Sequence, residues 1–466
     1  MTRSGLFRVA AAALLLAGAL LPVAAARAAD AKPAYPPPPP ADPAVVGTGC
    51  QRTMTLLATS TPQRRNKVRI LFYGQSITVQ EWSKAVADDL KARFPNADLD
   101  VRNLAIGGFA SQLLIKPAEH DVYPFYPDLV IFHVYGAHDT YEQIIRNIRT
   151  RTTAEVLMQT DHVAARGYLE KPDDQAEKGL AWDWKMNNQF LPAFAKKYGC
   201  TLLDVRSAWV TYLKQNDLKP QALLKDGVHL NTHGCWLMAE LVKRHLVHRP
   251  DLPQDGWKGL TSDHAVAAAA GKATLEVEGN RIDVIPAPGK AGTVRVLVDG
   301  KKPSEHPGCY AITRPTPGPW TPLTVTRVDH DAPLVLEEWT LTVTGATPDG
   351  KGRTYEVVGS VTGKDGTGDT LAPFTSKSGR AKIDPKSFFA GKGDVADVKP
   401  GYAIKWKVVP LFADEAVVKA DADATRENAV TLAQGIENGK HTVELIAADG
   451  GVVPVAFVRG YRPPVK

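Results

Sequence analysis

Four short stretches of the chain carry residue types that acyl-transfer chemistry uses. The first is Gly74-Gln75-Ser76-Ile77-Thr78. A Ser at a tight strand-to-helix turn exposes its hydroxyl and brings its own N–H near a reacting oxygen. The same placement also suits a helix N-cap. The second stretch runs from Asn103 to Ser111 and contains Gly107-Gly108. Paired glycines let a backbone N–H approach a ligand closely, or simply make a tight turn. In the third, Gly136-Ala137-His138-Asp139, His138 could donate to an oxyanion and Asp139 could cap a helix. The fourth is Asp226-Gly227-Val228-His229. In a loop, that spacing lets the carboxylate hold one imidazole nitrogen while the other faces Ser76. A lone Asp-x-x-His pair is usually structural.

Strands and helices alternate around these stretches from about Lys67 to His248. Compact apolar runs predict strands at Val68–Phe72, Leu99–Leu104, Leu129–Tyr135, Ala154–Met158 and Thr201–Val205. Trp82, Val86, Leu90 and Phe94 recur at helical spacing, and Pro95 stops that helix. Tyr141, Ile144, Ile145 and Ile148 mark a second amphipathic helix, and another follows His229 through Leu237 and Leu241. Short apolar strands between helices imply an α/β domain, a parallel sheet covered on both faces. Ligands bind such sheets beyond the carboxyl ends of the strands, where all four stretches fall.

The order of the four stretches resembles the serial blocks of the SGNH (GDSL-type) hydrolases over about residues 66–250. That resemblance implies a three-layer, flavodoxin-like fold and a Ser-His-Asp esterase. Ser76 falls at the nucleophile, Asp226 at the triad acid and His229 at the base. Ser76 N–H, Gly108 and His138 fall at the oxyanion hole. Two positions depart from the family pattern. Gln75 stands for the usual Asp, as in family-like acetylesterases of sialic acids and xylan, and points to carbohydrate esters. His138 stands where the family has an oxyanion-hole Asn, and its imidazole is longer and pH-sensitive.

Past about Leu260 helical periodicity fades. Runs such as Thr293–Val298, Trp339–Val343, Tyr402–Val408 and Thr442–Ile446 are divided by Asp299-Gly300, Asp349-Gly350, Asp365-Gly366 and Asp449-Gly450, which are hairpin or turn signals. Residues 270–466 are therefore expected to form an all-β, sandwich-like accessory region of one or two units. It shows no nucleophile–base arrangement. The catalytic domain is expected over 66–262, preceded by a Pro-rich linker or arm at 29–65.

Arg3 and Arg8, the apolar run Val9–Val23 and Ala26-Arg27-Ala28 predict a signal peptide over 1–28. The mature chain is thus expected outside the cytoplasm, periplasmic or extracellular, without stable membrane insertion. The formal charge of +6 is spread without a basic stripe, which argues against nucleic acid. No Walker-type or dinucleotide motif appears, and His120, His133, His138 and His162 lack metal-ligand spacing, so neither cofactor nor metal is expected. Four cysteines permit disulfides, with Cys200–Cys235 the favoured pair and free thiols the alternative. Trp182 and Trp184 could line a sugar site or pack a helix. Leu113, Leu114 and Ile115 could line an acyl groove or bury one side of a helix. The expected partner is an acylated carbohydrate. The competing readings are a lipid-directed esterase or thioesterase, and a non-catalytic carbohydrate-binding protein on the same scaffold.

Overall fold

Period-two alternation in the first strand sorts its side chains between two cores. In β1 (Lys67–Gly74), Val68, Ile70 and Phe72 face one core while Leu71 and Tyr73 face the other. The same alternation runs through β3 (Leu129–His133) and β4 (Glu155–Gln159). With β2 (Asp98–Asn103) and β5 (Thr201–Leu203) they form one parallel sheet in the order β2-β1-β3-β4-β5. These strands come from a computed structural model that describes residues 35–172, 177–267 and 271–465. The expected signal peptide lies outside the described residues. From Pro38 onward the chain forms one compact unit.

Helices cover both faces of the sheet. Trp82, Val86 and Leu90 of one helix, Glu81–Arg93, are fully buried, and Trp82 meets Phe72 edge-on at 5.6 Å. Burying each such side chain contributes about 1.5–3 kcal/mol. The segment expected as a linker also supplies a helix, Gln51–Ala58, whose Met54 and Leu57 enter the first core. The N–H groups of Arg52 and Thr53 each donate to the buried Glu155 carboxylate at 2.8 Å. First-turn N–H groups have no partner within their helix, so the carboxylate closes that end. Leu114 of the helix Ser111–Phe125 is fully buried in the second core, with Leu113 and Ile115 packed against it.

The remaining chain is antiparallel. A six-stranded sheet is built from Thr261–Ala265, Lys272–Pro286, Gly292–Val298, Glu415–Val418, Val430–Ala447 and Val455–Tyr461. A five-stranded sheet is built from Tyr310–Ile312, Glu338–Ala346, Arg353–Gly359, Gly363–Asp369 and Ala403–Pro410. Each has its own apolar core. Thr261–Ala265 pairs with Val455–Tyr461, so the β-rich region begins before residue 270. Asp299 and Gly300 take positive φ of 51° and 75°, as a tight Asp-Gly turn requires. Asp365-Gly366 instead lies within a strand, beside a register shift at Val357/Val358, and the hairpin turns at Ser360–Thr362. Gly366 uses its freedom at a bulge rather than a turn.

The expected Cys200–Cys235 bridge is absent: all four cysteines are free thiols. Cys200 packs against the core on one face of the parallel sheet and Cys235 against the core on the other. A disulfide needs Cα atoms within about 7 Å, which the intervening sheet prevents. Burial pushes the Cys200 and Cys309 thiols up to about 11, which keeps them unreactive.

The α/β and β-rich regions meet at the C-terminal half of the helix Ser111–Phe125, through polar groups that find partners. His120 Nδ1 donates to the Ile312 carbonyl at 2.9 Å, and its Nε2 accepts from the Val328 N–H at 3.2 Å. Tyr126 donates to Asn280 at 2.8 Å, and Gln434 donates to the Tyr123 and Pro124 carbonyls. The buried Asp121 carboxylate takes a forked contact from Arg314, with Nε at 2.8 and 3.1 Å. Such satisfaction is what a buried polar interface requires.

Candidate active site

The first strand ends at Gly74, where nothing larger fits. A Cβ at that position would lie 2.0 Å from the His133 carbonyl oxygen and 2.5 Å from Thr78 Oγ1. Gln75 is extended, and its carbonyl accepts from the N–H groups of Thr78 at 2.8 Å and Val79 at 3.2 Å. That closes the single turn Ser76–Val79 with Ser76 at its first position. Its N–H belongs to the first turn, which has no acceptor within the helix. The turn stands where β1 separates β2 from β3, the switch point of the sheet.

Ser76 Oγ lies 2.9 Å from His229 Nε2, and His229 Nδ1 lies 2.8 Å from Asp226 Oδ2. A carboxylate accepts, so Nδ1 carries the proton and Nε2 is left to accept from the Ser76 hydroxyl. The other Asp226 oxygen accepts from the N–H groups of Val228 at 2.9 Å and His229 at 2.7 Å. The Val228 N–H first, then that of His229, holds the Asp226 carboxyl well below the usual carboxylate range. It therefore stays ionised, as the orienting acid of such a relay must.

The loop bearing Asp226 and His229 is tied on both sides. Gln80, four residues after Ser76, donates to the Leu230 carbonyl at 2.8 Å and accepts from the Leu230 N–H at 3.0 Å. From behind, His162 Nε2 donates to the Val228 carbonyl at 2.7 Å, and the Ala165 N–H donates to the Gly227 carbonyl at 2.9 Å. Burial lowers the His162 pKa to about 4, so the ring is a neutral donor at ordinary pH. Neither Gln80 nor His162 has a sequence signal that marks this role, since each acts through one contact formed only on folding.

An open cavity of about 490 Å³ surrounds Ser76, bordered by Ile106, Gly107, His229, Lys225, Arg314 and Trp320. Two of these, Arg314 and Trp320, come from the β-rich region, where no site residue was expected. Trp320 Nε1 donates to the Gly107 carbonyl at 3.0 Å, while the side chain stays 49% exposed. Gly108, at φ +76°, lies under the indole, where a Cβ would come within 2.7 Å of the ring. Gly107 is nearer the nucleophile: a Cβ there would be 3.6 Å from Ser76 Cβ.

His138, expected as an oxyanion donor, packs among aromatic rings. Like Gly108, which the indole covers, it is not among the residues bordering this cavity. Its ring stacks on Trp182 at 5.3 Å and meets Phe190 at 3.7 Å between centroids. Its position at the start of the helix His138–Arg151 left the side chain within reach of the aromatic helix Lys178–Lys185, and apolar contact held it there. Trp182 is thus engaged in packing, the Trp184 ring centre lies 5.1 Å from Lys171 Nζ, and neither indole borders the cavity. His133 Nε2 is 3.1 Å from Asp161 Oδ1, both buried. No group of three or more His, Cys, Asp or Glu among the described residues could hold a metal ion.

No family model matches the chain, and no curated protein does. Solved structures similar to it include a two-domain esterase active on acetylated mannans, co-crystallized with mannopentaose. That likeness is 17% identical over 85% of this chain and 91% of the other, with a TM-score of 0.32. The acetyl xylan esterase AlAXEase is 22% identical over 38% of this chain and 98% of its own, at a TM-score of 0.32. Axe2, an acetylxylan esterase from Geobacillus stearothermophilus, is 20% identical over 40% and 96%, at 0.33.

Proposed function

We propose that this chain is an exported serine esterase that removes short acyl groups, acetyl foremost, from a carbohydrate. The observation that carries the reading is the relay of Ser76, His229 and Asp226 at 2.9 and 2.8 Å, open to a cavity. Ser76 Oγ attacks the ester carbonyl as its proton passes to His229 Nε2. The Asp226 carboxylate stabilises the imidazolium that forms. Negative charge on the carbonyl oxygen is met by the N–H groups of Ser76 and Gly108, each such donor being worth about 100- to 1,000-fold in rate. Collapse breaks the ester bond, and the sugar hydroxyl leaves with the proton from His229. Water then attacks the acyl-serine by the same route and releases the acid.

Three features support a short acyl group on a sugar. The Gly74-Gln75-Ser76 turn is of the kind found in carbohydrate acetylesterases. Leu113–Ile115, the candidate lining of a long acyl groove, is helical and packs on the second core instead. The cavity sets Lys225, Arg314 and a half-exposed indole beside the apolar Val79, Ala105, Ile106 and Pro319, a mixed lining suited to the hydroxyls and the apolar face of a sugar ring. The charged, apolar and small-residue order of residues 1–28 supports export.

A fluorophosphonate probe should label Ser76, and efficiency on aryl esters should fall steeply beyond acetyl or propionyl. Acetate should be released from an acetylated polysaccharide. Failure to label Ser76 overturns the serine chemistry. One methylene in a welcoming apolar pocket adds about 10- to 200-fold in discrimination. A steady rise toward octanoyl with no acetate from any glycan therefore overturns the short-acyl assignment.

A further inference from the structure

The Gly107–Gly108 peptide is the centre of a turn that the Phe109 N–H closes on the Ile106 carbonyl at 3.1 Å, a bond that leaves the peptide's orientation open. Neither residue has a side chain to fix it, and glycine tolerates either orientation of such a peptide at little cost. A trans peptide is planar, so the Gly107 carbonyl and the Gly108 N–H point in opposite directions. Whatever holds the carbonyl therefore aims the N–H. In this protein the holder is the Trp320 indole N–H, 3.0 Å from the Gly107 oxygen. The ring also lies flush on Gly108, so close that a Cβ would sit 2.7 and 2.9 Å from two of its carbons. A flipped peptide would face one N–H with another and lose the bond.

We infer that Trp320 is a positioning residue for ester hydrolysis: its indole N–H fixes the Gly107–Gly108 peptide so that the Gly108 N–H serves the oxyanion. The inference rests on the proposed serine mechanism. It makes the β-rich region part of the catalytic apparatus, not only a neighbour of the substrate. The indole is itself held in place. Phe389 meets Trp320 edge-on at 6.1 Å and Phe109 at 4.9 Å, bridging the two regions. The Gly391 N–H donates to the Thr321 carbonyl at 3.0 Å, and Arg314 Nη2 donates to the Leu104 carbonyl at 2.9 Å. The loop that presents Trp320 is thus anchored to the loop that it orients.

The test separates the N–H from the ring in the full-length chain. Trp320→Phe removes the donor and keeps an aromatic face, and replacement by benzothienylalanine removes it while keeping the bicycle. A small aryl acetate, which has no sugar to rest on the indole, is the substrate. Both variants should lose about 10- to 100-fold in kcat, part of the value of an oxyanion donor, with KM changed less than about threefold. Fluorophosphonate labelling of Ser76 should slow in parallel. Aryl acetate turnover within twofold of wild type in both variants overturns the inference, even if polysaccharide turnover falls. That result would make Trp320 a sugar platform alone. A wild-type protein that is not labelled at Ser76 sinks the proposed mechanism instead. Because the side chain is half exposed on a loop, thermal unfolding within a few degrees of wild type is expected and shows that the variants fold.

Discussion

The α/β region and the β-rich region differ in how their residues reach the cavity. The first brings Ser76, Asp226 and His229 together from turns at one end of a single sheet, each next to an element whose apolar pattern is evident. The second sends in Arg314 and Trp320 from an irregular stretch following the short strand Tyr310–Ile312. Reactive groups sit on regular scaffolding, and two of the groups that border them sit on a loop docked from elsewhere. The chemistry is thus local in origin, whereas the shape of the site belongs to the interface.

The sharpest way to break this contrast is at the relay. Ser76→Ala and His229→Ala should each lower ester hydrolysis about 10,000-fold or more with the fold retained, and the double variant should be little worse. Additive losses in kcat would show that the two do not act as a unit. A smaller, structural effect is expected on the other side of the comparison. Arg314→Ala leaves the buried Asp121 carboxylate without its ion pair. Losing one partner of a buried pair costs about 3 kcal/mol or more. Arg314→Met combined with Asp121→Asn should recover much of that loss in thermal or urea unfolding. No difference between the single and double variants would mean that the pair does not join the regions.

Acid should probe the same joint more gently. Burial lowers the His120 pKa from 6.5 to about 4, and the neutral ring bonds Ile312 and Val328 of the β-rich region. Between these values the unfolded chain binds the extra proton, so stability is complete above pH 6.5 and declines as pH falls toward 4. The slope is about 1.4 kcal/mol per pH unit for such a group, and His162, also lowered to about 4, adds its own. His120→Gln should flatten the wild-type decline in unfolding midpoint between pH 7 and 4.5. An unchanged slope would place the acid sensitivity elsewhere. The smallest effect is expected at the thiols: Cys200→Ser or Cys235→Ser should not change the response of stability to reductant, because neither thiol is bonded.

Much of the fold is legible in the amino-acid sequence. Val68, Ile70 and Phe72, or Trp82, Val86 and Leu90, announce their elements because burial on one face imposes a period. The helix Gln51–Ala58 was not legible, since it follows a Pro-rich stretch, and its N-terminus is closed by Glu155, about a hundred residues away in sequence. Asp365-Gly366 misled because Asp-Gly reports a glycine with unusual φ, and a bulge uses that as readily as a turn. The setting of the His138 ring was not legible either. Its position in a motif says where its backbone lies, but Trp182 and Phe190, some fifty residues on, decide where its ring goes.

By itself, the amino-acid sequence determined the alternating elements, the order of the reactive turns and the residue types of the relay. These follow from local sterics and from the periodicity of burial, which act over a few residues. Only the tertiary structure decided which groups meet. It placed Trp320 on the Gly107 carbonyl, seated His162 behind Val228 and separated Cys200 from Cys235 by a sheet. Such contacts join residues tens to hundreds of positions apart. Their energy comes from packing and from satisfying buried polar groups, and neither leaves a pattern in the neighbouring sequence.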